Sequence, residues 1–149
     1  MADAREIDEK LLHAALKAME NAYVLCGFKV GAAALAQNGE IYEGCNVESR
    51  VSGLGICAER NAINHLVLHG NKKILEIAII MDFRAHGEAR PCGACLQYIH
   101  DFAENPAVRV AMAKAEKGKI LSETVQVKTI KELLPFPYSR WKFPAKRGS

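Results

Sequence analysis

The chain has 149 residues, of which half are hydrophobic and a quarter are charged, and its formal net charge is +3. This size predicts one domain over residues 1–149, and the composition excludes disordered, collagen-like and low-complexity proteins. A net charge this small does not by itself indicate a nucleic-acid or membrane partner.

The chain also lacks the sequence signals of membrane insertion and export. Its apolar runs, such as residues 77–81, are far shorter than the roughly 20 residues of a membrane-spanning helix. The first ten residues carry charges where a signal peptide has its apolar stretch. We therefore expect a cytoplasmic protein.

The first part of the chain predicts a helix followed by a β-hairpin. Apolar side chains recur at helical spacing over residues 4–23. Two apolar runs, residues 28–36 and 40–47, flank the pair Asn38-Gly39. An Asn-Gly pair between apolar runs is typical of a tight hairpin, so these runs are predicted to be antiparallel strands.

The middle of the chain predicts a helix, a buried strand and a further helix. Residues 57–69 follow helical periodicity and stop at Gly70. The nearly continuous apolar run at residues 74–81 is typical of a central strand covered on both faces. Pro91 suits the first turn of a helix, which is predicted to extend to about residue 104.

The last part of the chain predicts strands over residues 107–113 and 124–130 and a short helix over residues 131–134. Helices between strands and a buried central strand indicate a mixed, five-stranded sheet with helices on both faces. We therefore predict an α/β fold, a three-layer α/β/α sandwich. The tail from about residue 139 is predicted to be loose.

The cysteines indicate a metal centre. Their number is odd, and a reducing cytosol argues against a disulfide framework. Cys92 and Cys95 are three residues apart and share one helix face, while Cys57 begins the preceding helix. If the two helix N-termini converge, three thiolates face one point and leave a fourth tetrahedral position for water, as in a catalytic zinc site.

Two charged residues next to Cys57 fit catalysis better than a purely structural metal site. Glu59 is two residues from a proposed ligand, and glutamate is uncommon beside all-sulfur structural sites, so we interpret it as a proton shuttle. Three thiolates give a Zn²⁺ centre a net charge of −1. The helix N-termini and Arg60, through a hydrogen bond to a ligand sulfur, are expected to offset that charge.

Other interpretations of these residues remain open on the sequence alone. A structural zinc site needs a fourth ligand, for which Cys45 and His65 are the candidates. A thioredoxin-like redox motif at Cys92 and Cys95 leaves Cys57 and Glu59 without a role. Cys26 and Cys45 are most simply small, partly buried residues. Four histidines most simply lie on helix surfaces: His13, His65, His69 and His100.

The sequence resembles the small, homotetrameric, zinc-dependent cytidine deaminases. The motifs that carry the resemblance lie in the same order over most of the chain: FKVGAA (28–33), GCNVE (44–48), CAER (57–60), PCGAC (91–95) and ELLP (132–135). A non-ligand glutamate beside the first metal ligand, followed by a Pro-Cys-x-x-Cys pair, is the general signature of zinc deaminases. The resemblance therefore implies the cytidine deaminase fold.

The resemblance also implies roles for individual residues. Cys57, Cys92 and Cys95 would hold Zn²⁺, and Glu59 would move protons during hydrolytic deamination of cytidine and deoxycytidine, with release of ammonia, in pyrimidine salvage. The substrate-binding roles would be stacking on the base, two contacts to its edge and two contacts to the ribose hydroxyls: Phe28, the Ala58 amide, the Arg90 carbonyl, Asn46 and Glu48. From the residues alone, Asn46 is equally well read as a turn residue.

The chain departs from the family pattern at several positions near the predicted site. Leu96 follows the second metal cysteine where the family usually has arginine, which leaves Arg60 alone to temper the thiolate charge. Cys26-Gly27 replaces a usual Tyr-Ser, and Ser49-Arg50 replaces a common Asn-Ala. Four basic residues surround the presumed pocket and predict either an anion site or solvated loop charges: Arg50, Arg84, His86 and Arg90.

Alternative functions follow from these departures. A related deaminase of another aminopyrimidine nucleoside or nucleotide, such as blasticidin S, is the first alternative. Retention of Asn46 and Glu48 favours a plain ribose. A nucleic-acid editing deaminase needs a basic groove with stacking aromatics, hinted at only around Trp141. A non-enzymatic zinc-binding module is the last alternative, and Glu59 argues against it.

The C-terminal segment predicts assembly. Several apolar side chains lie near a chain end that is usually polar in a monomer. The resemblance implies a homotetramer in which an aromatic residue of this segment enters the neighbouring chain's site, and Tyr138 lies at that position. The alternative is that Phe136, Tyr138 and Trp141 pack on their own domain.

Overall fold

The computed structural model describes residues 4–139, which form a five-stranded sheet flanked by helices. The elements are α1 (Ala4–Met19), β1 (Val30–Ala36), β2 (Ile41–Cys45), α2 (Ala58–Leu68), β3 (Ile74–Asp82), α3 (Gly93–Phe102), β4 (Arg109–Glu116), β5 (Lys119–Thr129) and α4 (Ile130–Leu133), with a 3-10 turn at Ser52–Leu54. None of the helices in this part of the chain has the length and apolar character needed to cross a membrane.

The sheet is mixed, with strand order β2-β1-β3-β4-β5. The β3 and β4 strands are parallel, and the other neighbouring pairs are antiparallel. The central strand, β3, is buried from Ile77 to Ile80, as its nearly continuous apolar run predicted. The predicted mixed, five-stranded sheet is confirmed.

The helices cover both faces of the sheet. On one face, Leu11, Leu12 and Ala15 of α1 pack against small and branched side chains of β1, β3 and β4. On the other face, α2 and α3 pack against the alternate residues of the same strands, including Ile77 and Ile79. Successive strand residues point to opposite faces, so one apolar run supplies both layers of the core. The three-layer sandwich is confirmed.

The last hairpin is longer than the sequence indicated. We predicted strands over residues 107–113 and 124–130, but β4 and β5 meet at a tight turn where Lys117 and Gly118 have φ values of 49° and 74°. The prediction was too short because β5 is an edge strand whose first residues, KILSE, do not alternate apolar and polar side chains. The first helix likewise ends at Met19 rather than at residue 23. Most of the tail predicted to be loose, residues 140–149, lies outside the described residues.

The connections bring the starts of α2 and α3 to one side of the molecule. The β2 and β3 strands run in the same direction because each is antiparallel to β1. The α2 helix follows β2 and α3 follows β3, so both helices begin on the side of the sheet where β2 and β3 end. They then pack on the same face, against one hydrophobic cluster.

The position of α2 depends on a glycine in β2. An ideal Cβ placed on Gly44 would lie 2.2 Å from the Ala62 backbone nitrogen and 2.6 Å from the Ala58 carbonyl oxygen. Both clashing atoms belong to the helix backbone, which cannot move aside as a side chain can. Gly44 therefore permits α2 to approach the sheet closely.

We expect Gly44→Ala to lower the free energy of unfolding by about 1–3 kcal/mol or more, because the added methyl group must push α2 outward. Gly53→Ala is the matched control, since a Cβ there meets no atom within 4 Å. Its effect should stay within about 0.5 kcal/mol. Urea denaturation of both variants measures the difference, and equal unfolding free energies would contradict the proposed close approach.

Candidate metal centre and adjoining cleft

Two of the predicted ligands occupy equivalent positions at the starts of helices. Cys57 is the N-cap residue of α2, and Cys92 is the N-cap residue of α3. Both have extended backbone conformations, and neither side chain bonds to its own helix backbone. Cys95 lies in the first turn of α3. The convergence of the two helices therefore brings one thiol from α2 to two thiols from α3.

The three sulfur atoms form a compact cluster. The Sγ atoms of Cys57, Cys92 and Cys95 all lie within 4.8 Å of one another. A tetrahedral zinc ion with Zn–S bonds of about 2.3 Å holds its sulfur ligands roughly 3.8 Å apart, so only small adjustments would be needed. Cys95 is buried and Cys92 is exposed, which leaves one side of the cluster open towards solvent. The residues present fit a metal with an open coordination position.

Neither candidate for a fourth ligand joins the cluster. Within residues 4–139, the group of metal-ligating side chains at this point contains the three cysteines alone. The Nδ1 atom of His65 lies 2.9 Å from the carbonyl oxygen of Glu43. Cys45 lies at the end of β2, where its carbonyl oxygen accepts a hydrogen bond from Asn61. The described structure therefore does not support a closed four-ligand site.

Arg60 supplies positive charge to the sulfur cluster. Its Nη2 atom donates to Cys57 Sγ at 3.6 Å, while its Nε is buried without a hydrogen-bond partner among the described residues. A hydrogen bond from the Cys95 thiol, followed by the contact with Arg60, lowers the pKa of Cys57 to about 5. Cys57 is therefore a thiolate at neutral pH, the form in which cysteine binds metals.

Glu59 is buried beside the cluster. The residue is only 3% exposed, and loss of hydration raises the pKa of its carboxyl group to about 7, with a further contribution from the charge on Cys57. A carboxyl group in these surroundings gains and loses a proton near neutral pH, which is what a general acid–base residue requires.

A cleft of about 260 Å³ opens beside the cluster. Its lining includes eight of the site residues singled out in the sequence: Phe28, Asn46, Glu48, Cys57, Ala58, Glu59, Arg90 and Cys92. Cys95 is buried behind it. Val30 and Met81 were not singled out as site residues, and Gly27 was noted only as a departure from the family pattern. A β1–β3 pairing would have shown Val30 opposite Met81, but this register was not evident from the sequence.

Asn46 holds the chain segment that forms one wall of the cleft. Its Oδ1 atom accepts a hydrogen bond from the Val30 backbone N–H at 2.8 Å. Its Nδ2 atom donates to the Phe28 carbonyl oxygen at 2.9 Å. The side-chain amide therefore bridges both backbone groups that flank Lys29, and one amide N–H remains available towards the cleft.

Glu48 holds the preceding residues of the same segment. Its Oε2 atom accepts hydrogen bonds from the backbone N–H groups of Leu25, at 2.6 Å, and Cys26, at 3.0 Å. The bonds from Cys26 and Leu25 lower the pKa of the Glu48 carboxyl group, so it is ionised at neutral pH. A Cβ on Gly27 would lie 2.3 Å from Glu48 Oε1, so a larger residue there would require the Glu48 side chain to shift.

The remaining candidate residues lie at the edge of the cleft or away from it. The Arg90 side chain forms an ion pair with Glu88, and Arg84 forms one with Asp82 at 2.9 Å. These pairs favour the interpretation of the basic residues as solvated loop charges over an anion site. Leu96 packs against the hydrophobic core.

Tyr138 does not line the cleft of its own chain. Its side chain is 71% exposed, while its backbone N–H and carbonyl groups are both bonded to the side chain of Gln97 at 2.9 Å. Phe136 is 92% exposed, so its ring has little contact with residues 4–139. Trp141 lies outside the described residues.

Comparisons with known proteins place the chain among nucleoside and nucleotide deaminases. The family described as the cytidine and deoxycytidylate deaminase zinc-binding region matches residues 5–112. A cytidine deaminase from Sporosarcina psychrophila is 40% identical over 133 residues, which cover 89% of this chain and 91% of the relative. A blasticidin-S deaminase from Bacillus cereus is 30% identical over 117 residues, covering 74% of this chain and 77% of the relative.

The fold also matches solved structures. The crystal structure of a cytidine deaminase from Burkholderia pseudomallei superimposes with a TM-score of 0.75 and 33% sequence identity. The match covers 87% of this chain and 98% of that chain. The structural likeness therefore extends over the whole of the solved chain rather than over the cysteine motifs alone.

We expect Asn46→Ala to lower the free energy of unfolding by about 1–3 kcal/mol, because it leaves the N–H of the buried Val30 without a partner. Asn21→Ala is the matched control, since it removes an exposed side-chain amide that holds no segment of the cleft. Its effect should stay within about 0.5 kcal/mol. Urea denaturation measures both, and an Asn46→Ala protein as stable as the parent would show that the bridge contributes nothing.

Proposed function

The chain belongs to the cytidine and deoxycytidylate deaminase family and is a hydrolase that deaminates cytidine, and on that premise we propose that it uses a zinc ion held by Cys57, Cys92 and Cys95. The observation that carries the proposal is the cluster of three sulfur atoms within 4.8 Å of one another, beside a buried glutamate in a cleft. This donor set, open on one side, suits a catalytic rather than a structural zinc ion.

The zinc ion, when bound, supplies Lewis acidity that makes a water molecule nucleophilic at neutral pH. The chain's own contribution is to hold three thiolates together and to limit their combined negative charge. Arg60 donates to Cys57, and the N-termini of α2 and α3 add their positive dipole ends. Because Leu96 packs against the hydrophobic core and carries no charge, Arg60 is the arginine proposed for this role.

Glu59 is the proposed proton carrier. Hydrolytic deamination adds water across the C4–N3 bond of the pyrimidine and then breaks the C4–N4 bond to release ammonia. Glu59 would accept the proton of the attacking water, deliver a proton to ring N3, and transfer the second water proton to the departing amine. Its burial supports this role, because a carboxyl group with a pKa near neutral exchanges protons in both directions.

The cleft residues would orient the nucleoside. Phe28, which is 37% exposed, offers a ring for stacking on the base, and the Ala58 amide and Arg90 carbonyl would contact its edge. Asn46 keeps one amide N–H after bonding to the 25–30 segment. The Glu48 carboxylate accepts from the backbone N–H groups of Leu25, Cys26 and Gly27 and still has acceptor capacity, because its two oxygens offer about four lone-pair sites. These groups suit the two hydroxyls of a ribose.

We propose cytidine and deoxycytidine as the substrates, with a role in pyrimidine salvage. The similarity to a blasticidin-S deaminase makes an aminopyrimidine antibiotic the second candidate. Absorbance assays on cytidine, deoxycytidine, cytidine monophosphate and blasticidin S distinguish them. Preference for blasticidin S or the monophosphate over cytidine would overturn the substrate proposal.

We further propose that residues 1–149 form one domain that works in the cytoplasm. The strands of residues 30–129 share one sheet, and the hydrophobic clusters on its two faces draw on the same strands. All five cysteines are free thiols, the state that a reducing compartment maintains and a thiolate metal site requires.

The proposed assembly is a homotetramer with shared active sites. The cleft is open to solvent, whereas deamination of a bound nucleoside benefits from exclusion of bulk water. The Tyr138 and Phe136 side chains are exposed and have little contact with the described residues of their own chain. We propose that Tyr138 covers the cleft of an adjacent chain, which supplies the missing wall.

Glu59→Gln is expected to lower kcat by at least about 10²-fold, because the amide keeps the shape of the side chain but cannot relay a proton. The measurement is the absorbance change as cytidine is converted to uridine, with zinc content determined on the same sample. The variant should retain zinc, since Glu59 is not a ligand. Parental kcat in a zinc-loaded variant would exclude Glu59 as the proton carrier.

Cys92→Ala is the companion variant for the metal. It should lose most of its zinc during dialysis against a mild chelator, whereas Cys26→Ala, which changes a thiol outside the cluster, should retain it. Full zinc retention by Cys92→Ala would contradict the ligand assignment.

Tyr138→Ala is expected to raise KM at least severalfold while the protein remains a tetramer, because the cleft loses the wall contributed by the neighbour. Size-exclusion chromatography with light scattering gives the oligomeric state, and kinetics on the same sample give KM. Tyr23→Ala, which removes another exposed tyrosine, is the matched control. A fully active monomer would overturn the shared site.

A further inference from the structure

A pair of histidines lies at the end of α2 opposite to the cysteine cluster. His65 occupies the last turn of the helix, and His69 is its C-cap residue. The two residues are four positions apart, so their side chains share one helix face. Both residues are exposed, and their rings lie 4.8 Å apart between centroids. The function proposed above uses neither residue.

One nitrogen of each ring is fixed by a backbone carbonyl group. His65 Nδ1 lies 2.9 Å from the carbonyl oxygen of Glu43, and His69 Nδ1 lies 2.9 Å from the carbonyl oxygen of His65. A carbonyl oxygen only accepts hydrogen bonds, so each Nδ1 atom carries the proton. In the neutral imidazole the lone pair is then on Nε2, which has no hydrogen-bond partner among residues 4–139 for either ring.

This is the arrangement in which histidine binds a metal. Metal-ligating histidines characteristically donate their other ring N–H to a backbone carbonyl or carboxylate, which fixes the tautomer and the ring orientation. The two ring nitrogens lie on opposite sides of the imidazole, so each Nε2 atom points away from the carbonyl that holds Nδ1. Both histidines therefore already have the outer hydrogen bond that ligating histidines need.

The ring spacing agrees with two imidazoles on one ion. A metal–nitrogen bond of about 2.0–2.1 Å places the centroid of an imidazole roughly 3.2 Å from the ion, so rings at 90° to 109° have centroids about 4.5–5.2 Å apart. The observed separation of 4.8 Å lies within that interval. Water molecules would complete the coordination at this exposed position.

The surroundings restrain the two rings and favour a cation. Tyr42 contacts both imidazoles, with centroid separations of 5.3 Å to His65 and 5.2 Å to His69. The Tyr42 hydroxyl is itself fixed, because it accepts hydrogen bonds from Asn38 and Asn71. The C-terminus of α2 also directs the negative end of the helix dipole towards this position.

We propose that His65 and His69 form a second metal site, which binds one divalent transition-metal ion of the imidazole-preferring class through their two Nε2 atoms. The site is separate from the cysteine cluster, since it lies at the other end of α2. An ion there would tie His69, at the end of α2, to His65. The Nδ1 atom of His65 is in turn bonded to the Glu43 carbonyl of β2, so the ion would connect the helix end indirectly to that strand.

The test is a titration of the zinc-loaded, full-length protein with Ni²⁺, in which isothermal titration calorimetry measures the stoichiometry and the affinity. Ni²⁺ is suitable because it binds imidazole well and does not oxidise the free thiols. We expect one Ni²⁺ per chain beyond the zinc already present, with affinity at least about tenfold weaker in His65→Ala and in His69→Ala. His13→Ala, which removes an exposed histidine from α1, should bind Ni²⁺ as the parent protein does.

Zinc content and deaminase activity of each variant are measured in parallel. Retained activity in His65→Ala and His69→Ala shows that the loss of Ni²⁺ does not reflect unfolding. An increase in Tm with Ni²⁺ in the parent protein, absent from both variants, would support the site independently. Parental Ni²⁺ affinity in both variants, or release of one zinc for each Ni²⁺ bound, would overturn the proposal.

Discussion

The meeting of two helix N-termini at one sheet edge is the constraint on which the site depends. The α2 and α3 helices follow strands that run in the same direction, so both begin at that edge. Thiols at Cys57 and Cys92 can share an ion only if α2 lies deep against the sheet. Gly44 permits that depth, because any side chain at this position would meet the backbone of α2. A residue without a side chain in β2 thus helps to set the geometry of a cysteine cluster to which it contributes no ligand.

The second constraint is electrostatic. The cluster concentrates thiols and a carboxyl group in a partly buried space. Negative charges this close together raise one another's pKa values, because each disfavours ionisation of the next. The Cys57 and Cys95 pKa values shift in opposite directions, first because Cys95 keeps its proton in a hydrogen bond to the Cys57 sulfur. Burial and the negative charges of Glu59, Cys57 and Cys92 raise the pKa of Cys95 further. The buried Nε of Arg60, without a partner in the described structure, indicates a guanidinium held in place for its charge rather than for a complete set of hydrogen bonds. A cation bound by the thiolates would relieve the same repulsion.

The sequence predicted those features that depend on local spacing. The Cys-x-x-Cys pair, the first cysteine at a helix start and the position of Glu59 two residues after it were evident from local spacing, and the structure brings the three thiols together. The burial of Glu59 was not predicted. The order of elements and the mixed sheet followed from hydrophobic runs and the Asn38-Gly39 turn. The β4–β5 turn escaped prediction because an exposed edge strand is under little pressure to alternate apolar and polar residues.

The hydrogen bonds from the Asn46 and Glu48 side chains to the 25–30 segment were not predicted, for a different reason. Their partners, backbone groups of residues 25–30, are about 20 positions away, and no local pattern encodes hydrogen bonds over that separation. The resemblance implied that both residues contact the sugar, whereas the structure shows that both first hold the segment carrying Phe28. These two roles are compatible because each side chain has polar capacity left over.

The two roles of Asn46 and Glu48 link sugar binding to the placement of the Phe28 ring. If Asn46 and Glu48 contact the ribose while they hold the 25–30 segment, then sugar binding and placement of the Phe28 ring are parts of one hydrogen-bonded unit. A substrate that lacks both ring hydroxyls, unlike deoxycytidine, which keeps one of them, would lose those direct contacts. Discrimination against such sugars would then affect the chemical step as well as binding, because the proton transfer proposed for Glu59 needs a correctly placed base.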